Sequence, residues 1–279
     1  MFVRGGFAFD ASQLLTNSQT SALQAQQWVQ SNGHPYARLA HDDATNNYYL
    51  FYGTDFHNVE LVAGIDWDTR NRTLFADHGM HQSVSFSVTT PGSNVNYWIG
   101  DYQFLKYVPL TKGFDLSFLE GVDYGAPLGN TTAIPPYRQF FGGGPNSVRG
   151  FYESRLGPKD QFGNPYGGNL RITSQNELIL PMPSKFAQTA RVSLFYDIGG
   201  IFQTGNYLQF YGPDQVTPNY YHFCISCLKR GVGIAVQWLA PLGLFRFSLG
   251  LPLNAQHGNG VTTWGDETQI FQFSVGNAF

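Results

Sequence analysis

Six stretches of this 279-residue chain alternate apolar and polar residues with a period of two. That repeat limits the fold more than any other feature. Successive side chains of a strand point to opposite faces, so a period of two marks sheet whose sides meet different surroundings. In NVELVAGIDWDT, Val59, Leu61, Ala63, Ile65 and Trp67 face one way, while Glu60, Asp66 and Asp68 face the other. Val84, Phe86 and Val88 stand against Ser83, Ser85 and Ser87. Leu170, Ile172, Leu178 and Leu180 stand against Arg171, Thr173, Gln175 and Glu177. Val192, Leu194, Tyr196 and Ile198 stand against Arg191, Ser193 and Asp197. Val232, Ile234, Val236 and Trp238 repeat the pattern, as do Phe271, Phe273, Val275 and Phe279. Less regular stretches near 2–9, 97–109, 114–126 and 244–253 bring the expected total to about ten strands.

The connections suggest what surrounds this sheet. Short turns (TTPGSN, PLTKGF, PMPSKFAQ, APLGL) exchange with long polar loops at 10–57, 69–80, 127–168, 204–230 and 254–267. Short turns on one rim and long loops on the other are the outer-membrane barrel pattern. A soluble β-sandwich or lipocalin-like barrel also alternates. Strands near ten residues, with aromatics at their ends (Trp67, Tyr97, Trp98, Tyr107, Trp238, Phe279), fit a tilted membrane crossing with interfacial girdles better. Composition agrees: charged residues are 13%, aromatics 16%, and glycines number 32.

No run of about 18 apolar residues is present, so no membrane helix is expected. Residues 1–20 lack the charged start, apolar block and cleavage site of a signal peptide. A net charge of −3 gives no reason to expect nucleic acid as a partner. In the first long loop, SQTSALQAQQWVQSNG reads as a short helix, capped by Ser21 and ended by Gly33. No linker divides the chain, so residues 1–279 are expected to form one unit.

Two candidate sites emerge. Cys224 and Cys227 in HFCISCLKRG have too few companion ligands for zinc and no βαβ setting for a thioredoxin-like motif. They read as a local loop disulfide, which needs an oxidising compartment, or as two free thiols. The other site is GGGPNSVRGFYES. Arg149, between small and apolar residues, keeps its charge wherever it sits, and inside a barrel it needs carboxylates. Parity turns Glu177 and Asp197 inward on two successive strands, where they could share a salt-bridge site with it. Spacing alone leaves this level with the alternative, a solvated turn above a wet pore lined by those acids.

PYRQFFGGGPNSVRGFYESRLGP strongly resembles the long extracellular loop of the outer-membrane protein assembly factors of the bacterial surface antigen family. The family's VRGF motif matches Val148, Arg149, Gly150 and Phe151. The likeness continues through NELILPMP, SLFYDIGGIFQTG, GIAVQWLAPLGLFRFSLGLPL and the terminal FQFSVGNAF. AGIDWDTRNRTLFADHG is similar to the family's D-x-R-x-x-x-x-P-x-x-G pattern, with Ala76 where proline is common.

The resemblance implies that the loop arginine enters the barrel and meets acids at positions matching Glu177 and Asp197. It also implies a lateral seam between first and last strands, where client strands add by β-augmentation. Phe271, Phe273 and Phe279 match a C-terminal β-signal. The expected fold is therefore an all-β, antiparallel transmembrane outer-membrane barrel, with about ten strands of a family barrel of about sixteen. The family's first strand and periplasmic POTRA repeats have no counterpart in this sequence.

The implied role is insertion of β-barrel proteins into the bacterial outer membrane, without catalysis, cofactor or metal. The implied partners are the lipid bilayer, nascent barrel proteins and, through an N-terminal part, assembly-complex lipoproteins. A related translocator or assembly protein of the same family, or a passive outer-membrane pore, are the alternatives.

Overall fold

The computed structural model describes all residues except 16–18, 34–37, 43–46, 53, 112, 206–207 and 277–279. Phe279 therefore lies outside the described residues. Among those described, ten strands form one antiparallel sheet in which sheet order follows chain order. They are β1 (Phe2–Gln13), β2 (Asp55–Asp68), β3 (Gly79–Thr89), β4 (Tyr97–Pro109) and β5 (Asp115–Pro127). Then come β6 (Leu170–Ile179), β7 (Ala190–Phe202), β8 (Lys229–Ala240), β9 (Gly243–Pro252) and β10 (Phe271–Gly276). The strand pairings of this sheet run in unbroken register, so the period-two pattern carries across all ten strands.

One face of the sheet is a broad apolar surface. Val59, Leu61, Ile65, Trp67, Val84, Phe86, Leu194, Tyr196, Ile234, Val236, Trp238, Phe271 and Phe273 are all exposed on it. Such an area suits hydrocarbon, not water. The opposite face is polar and largely buried, with Glu60, Ser117, Asp123, Gln175, Ser193, Asp197, Ser248 and Gln272. No helix among the described residues is long and apolar enough to cross a membrane.

Three expectations need correction. Antiparallel strands alternate rims strictly, so rim membership follows the order of the connection and not its length. Residues 69–78 therefore share a rim with the short turns, and TTPGSN lies on the rim of the long loops. Tyr97 and Tyr107 are not girdle aromatics, because their parity turns them inward. Tyr97 is fully buried and donates to Glu60 Oε1 at 2.6 Å, while the Tyr107 ring sits under Arg191. Finally, α1 spans Gln19–Asn32, so Ser21 lies within its first turn and cannot be the N-cap, which stands outside the helix. Its other end is as expected, with the Gly33 N–H donating to the Val29 carbonyl at 2.8 Å.

The long loops pack together over their rim. Trp28 of α1 is fully buried against Phe56, and its indole N–H donates to the Ala133 carbonyl at 2.9 Å. Val95, Ile99, Ile134, Tyr166 and Phe210 belong to the same cluster, drawing three loops and α1 into one cap. The first loop also contains a hairpin, Arg38–Asp42 with Asn47–Tyr52, that the alternation did not reveal.

Candidate functional site

The site begins with a loop that turns back into the sheet's concave face. Gly150 has φ of 94°, a conformation costly for any residue with a Cβ, and this reverses the chain at the loop tip. The tip presses on β8 so closely that a Cβ at Gly231 would lie 2.0 Å from the Arg149 carbonyl oxygen. Val148 and Phe151 are fully buried with Leu156. Gly150 and Phe151 pair with Gln269 and Thr268, just before β10.

Arg149, 5% exposed, is held from three sides. Its Nε donates to Asp197 Oδ2 and its Nη2 to Asp197 Oδ1, both at 2.7 Å, in a bidentate fork. Its backbone N–H donates to the same carboxylate at 3.0 Å, and its Nη1 donates to Glu177 Oε1 at 2.5 Å. The guanidinium carbon lies 3.7 Å from the centroid of the Phe195 ring, a cation–π contact that covers its remaining face. Burial works against this charge, but the hydrogen bonds to Asp197 and the fields of Asp197 and Glu177 hold its pKa above the ordinary arginine value. Asp197 is 0% exposed, so this carboxylate is met by protein alone.

The inward register of β6 and β7 supplies both acids. Glu177 lies opposite Phe195 across β6 and β7, and Asp197 is two residues further along the same face. Ser193 Oγ donates to Glu177 Oε2 at 2.8 Å and fixes that carboxylate. Sequence reasoning brought together Arg149, Glu177 and Asp197 but missed Phe195 and Ser193. Both share the parity of Asp197, and that was the available signal.

Three further contacts fasten the loop. Gln272 of β10 donates through Nε2 to the Phe151 carbonyl at 2.6 Å. The Tyr152 N–H donates to the Glu267 carbonyl at 2.9 Å, and Lys159 Nζ donates to Glu267 Oε1 at 2.9 Å. Gln272 alternates with Phe271 and Phe273, so its inward aim was legible; nothing marked Glu267. A second inward ion pair joins Arg138 Nη2 to Glu60 Oε1 at 2.5 Å, and the same loop supplies that arginine.

The other expected residues lie apart from this cluster. Phe271 and Phe273 project from the apolar face of β10. Cys224 and Cys227 form a disulfide in the loop between β7 and β8, with Cys224 half-buried and Cys227 exposed. Among the described residues no group of His, Cys, Asp and Glu could hold a metal ion.

Comparison with known proteins gives a consistent set of relatives. The description "Omp85 superfamily domain" matches residues 6–279. The outer membrane protein assembly factor BamA of Neisseria meningitidis serogroup B is 32% identical over 264 residues, covering 88% of this chain and 30% of that protein. The SAM50-like protein CG7639 of Drosophila melanogaster is 28% identical over 159 residues, covering 54% of this chain and 36% of the relative. A crystal structure of BamA from Haemophilus ducreyi lacking POTRA domains 1–3 superposes with a TM-score of 0.72 at 25% identity. That match covers 97% of this chain and 49% of the solved one. The chain thus spans about a third of the curated relatives' length in these two matches.

Proposed function

The chain belongs to the Omp85 superfamily, and from that membership we propose that it serves the insertion of β-barrel proteins into the bacterial outer membrane. Its apolar face meets the lipid, and the loop carrying Arg149 plugs the lumen. Docking of that loop on Asp197 and Glu177 holds the wall formed by β6 to β9 in a working shape. The observation that carries this reading is the bidentate Arg149–Asp197 pair, buried where a passive channel would need open, hydrated space. β10 pairs with β9, and among the described residues its other edge has no partner strand. The outer edge of β1 is likewise without a partner strand among the described residues. An unpaired edge templates further strands, and the resemblance of Phe271 and Phe273 to a C-terminal β-signal makes β10 the proposed side on which a client strand would add.

The reading is tested in the full-length protein with two variants, Arg149→Ala and Glu177→Ala combined with Asp197→Ala. Levels of client barrels in the outer membrane are measured by quantitative immunoblotting after depletion of the wild type. Both variants should lower client levels while the protein itself still reaches the membrane. Wild-type client levels in both would overturn the role given to the docked loop.

A further inference from the structure

The loop that carries Arg149 touches the inner wall a second time, earlier in its course and toward the other end of the sheet. Pro135 leads into a single 3-10 turn, Pro136–Arg138, and the Arg138 N–H donates to the Pro135 carbonyl at 2.9 Å. Buried Ala133 and Ile134 seat this turn. The Trp28 indole donates to the first carbonyl at 2.9 Å and Gln139 Nε2 to the second at 3.1 Å. From there Arg138 reaches β1, β2 and β4 together. Its Nη2 donates to Glu60 Oε1 at 2.5 Å and its Nε to the Tyr97 hydroxyl at 3.1 Å, while that hydroxyl donates to the same Glu60 oxygen at 2.6 Å. Asp10 Oδ2, buried and accepting no hydrogen bond from any described residue, lies 3.7 Å from Arg138 Nη2.

The two arginines therefore hold different ends of one run of strands. Arg138 grips β1, β2 and β4, Arg149 grips β6 and β7, and the loop between them leaves from β5 and returns at β6. From β2 to β7 is five strand spacings in the sheet order, roughly 24 Å along the wall. A chain running from 138 to 149 extends at most about 36–40 Å, so it reaches across. The bridges Phe140–Gly168 and Gly142–Leu156 brace it into a strut. Ladder hydrogen bonds fix the spacing of neighbouring strands, whereas curvature needs another device, commonly a bulge. The ten-strand sheet pairs without a bulge, so contacts across its concave face bear on its curvature. An arginine at each end of a braced loop provides such contacts, and neither can shed its charge.

We propose that Arg138 is a positioning residue, the second anchor of a strut that sets the curvature of the wall from β2 to β7. The proposal rests on the docked-loop reading above and extends it to the β1 side. Its test measures shape and no client level, so the two can fail separately. Leu61→Cys on β2 and Leu194→Cys on β7, both on the outer face, are spin-labelled in the full-length protein in bilayers. Cys224 and Cys227 are bonded to each other and take no label. Pulsed EPR should give one narrow distance distribution with Arg138 in place. Arg138→Gln strands a buried carboxylate and should widen the distribution at least about twofold. Glu60→Gln, which keeps an acceptor for Tyr97, should widen it too, and Arg138→Lys, which keeps the charge, should recover most of the loss. Arg72→Gln, at an exposed arginine on the opposite rim, should leave the width unchanged. Unchanged width in either Arg138→Gln or Glu60→Gln, no recovery in Arg138→Lys, or equal widening by Arg72→Gln would overturn the proposal.

Discussion

Arg149 is bound by two carboxylates of unequal standing, and the difference makes predictions. Asp197 accepts three hydrogen bonds from it and has no access to water, whereas Glu177 accepts one and also takes one from Ser193. Removing one partner of a buried ion pair strands the other, at about 3–5 kcal/mol. Asp197→Asn should therefore destabilise the barrel more than Glu177→Gln, as read by the temperature at which the folded band is lost on semi-native gels. Gly231→Ala should be as damaging as Asp197→Asn despite adding one methyl, because its Cβ has no room beside the Arg149 carbonyl. If Gly231→Ala melts like the wild type, the loop does not sit against β8. Both acids were legible in the sequence because an inward charge breaks an otherwise apolar or small-polar pattern. Phe195 was not, since an aromatic on the inner face looks like noise until a guanidinium lies on it.

At the scale of elements, all ten strands were legible as elements, because a membrane sheet imposes its two environments on every strand. Four left only an irregular pattern, however, and the first runs to Gln13, past the expected end near 9. The connections were less legible. Length assigned 69–78 to the wrong rim, since a loop packed by Arg191 and Phe75 can be long without facing the outside. The contacts from Gln272 and Glu267 tie the plugging loop to the strand edge at β10, and only Gln272 left a trace in the alternation. Gln272→Leu keeps the volume but loses the bond to the Phe151 carbonyl. It should raise hydrogen exchange in 150–152 while β6 and β7 stay protected; unchanged exchange would argue against that tie. The disulfide closes only a short loop, with a sequence separation of 3, and constrains the unfolded chain little. Replacing Cys224 and Cys227 by serine should leave barrel melting close to wild type, and a large drop would contradict this.

For the whole molecule, an apolar exterior, a polar interior and a loop folded inward make one arrangement. The exterior places the chain in the bilayer, the interior gives charged groups a place to be matched, and in the proposed function the loop closes the lumen that a channel would leave open. In the proposed function, Arg149 acts through its bond to Asp197. A double-mutant cycle of Arg149→Ala and Asp197→Ala in the full-length protein, read as client-barrel levels in the outer membrane, tests it most directly. Residues acting as one unit are not additive, so the double variant should assemble clients no worse than the more damaged single variant. Losses that multiply, with the double variant reduced by the product of the two single effects, would contradict the claim.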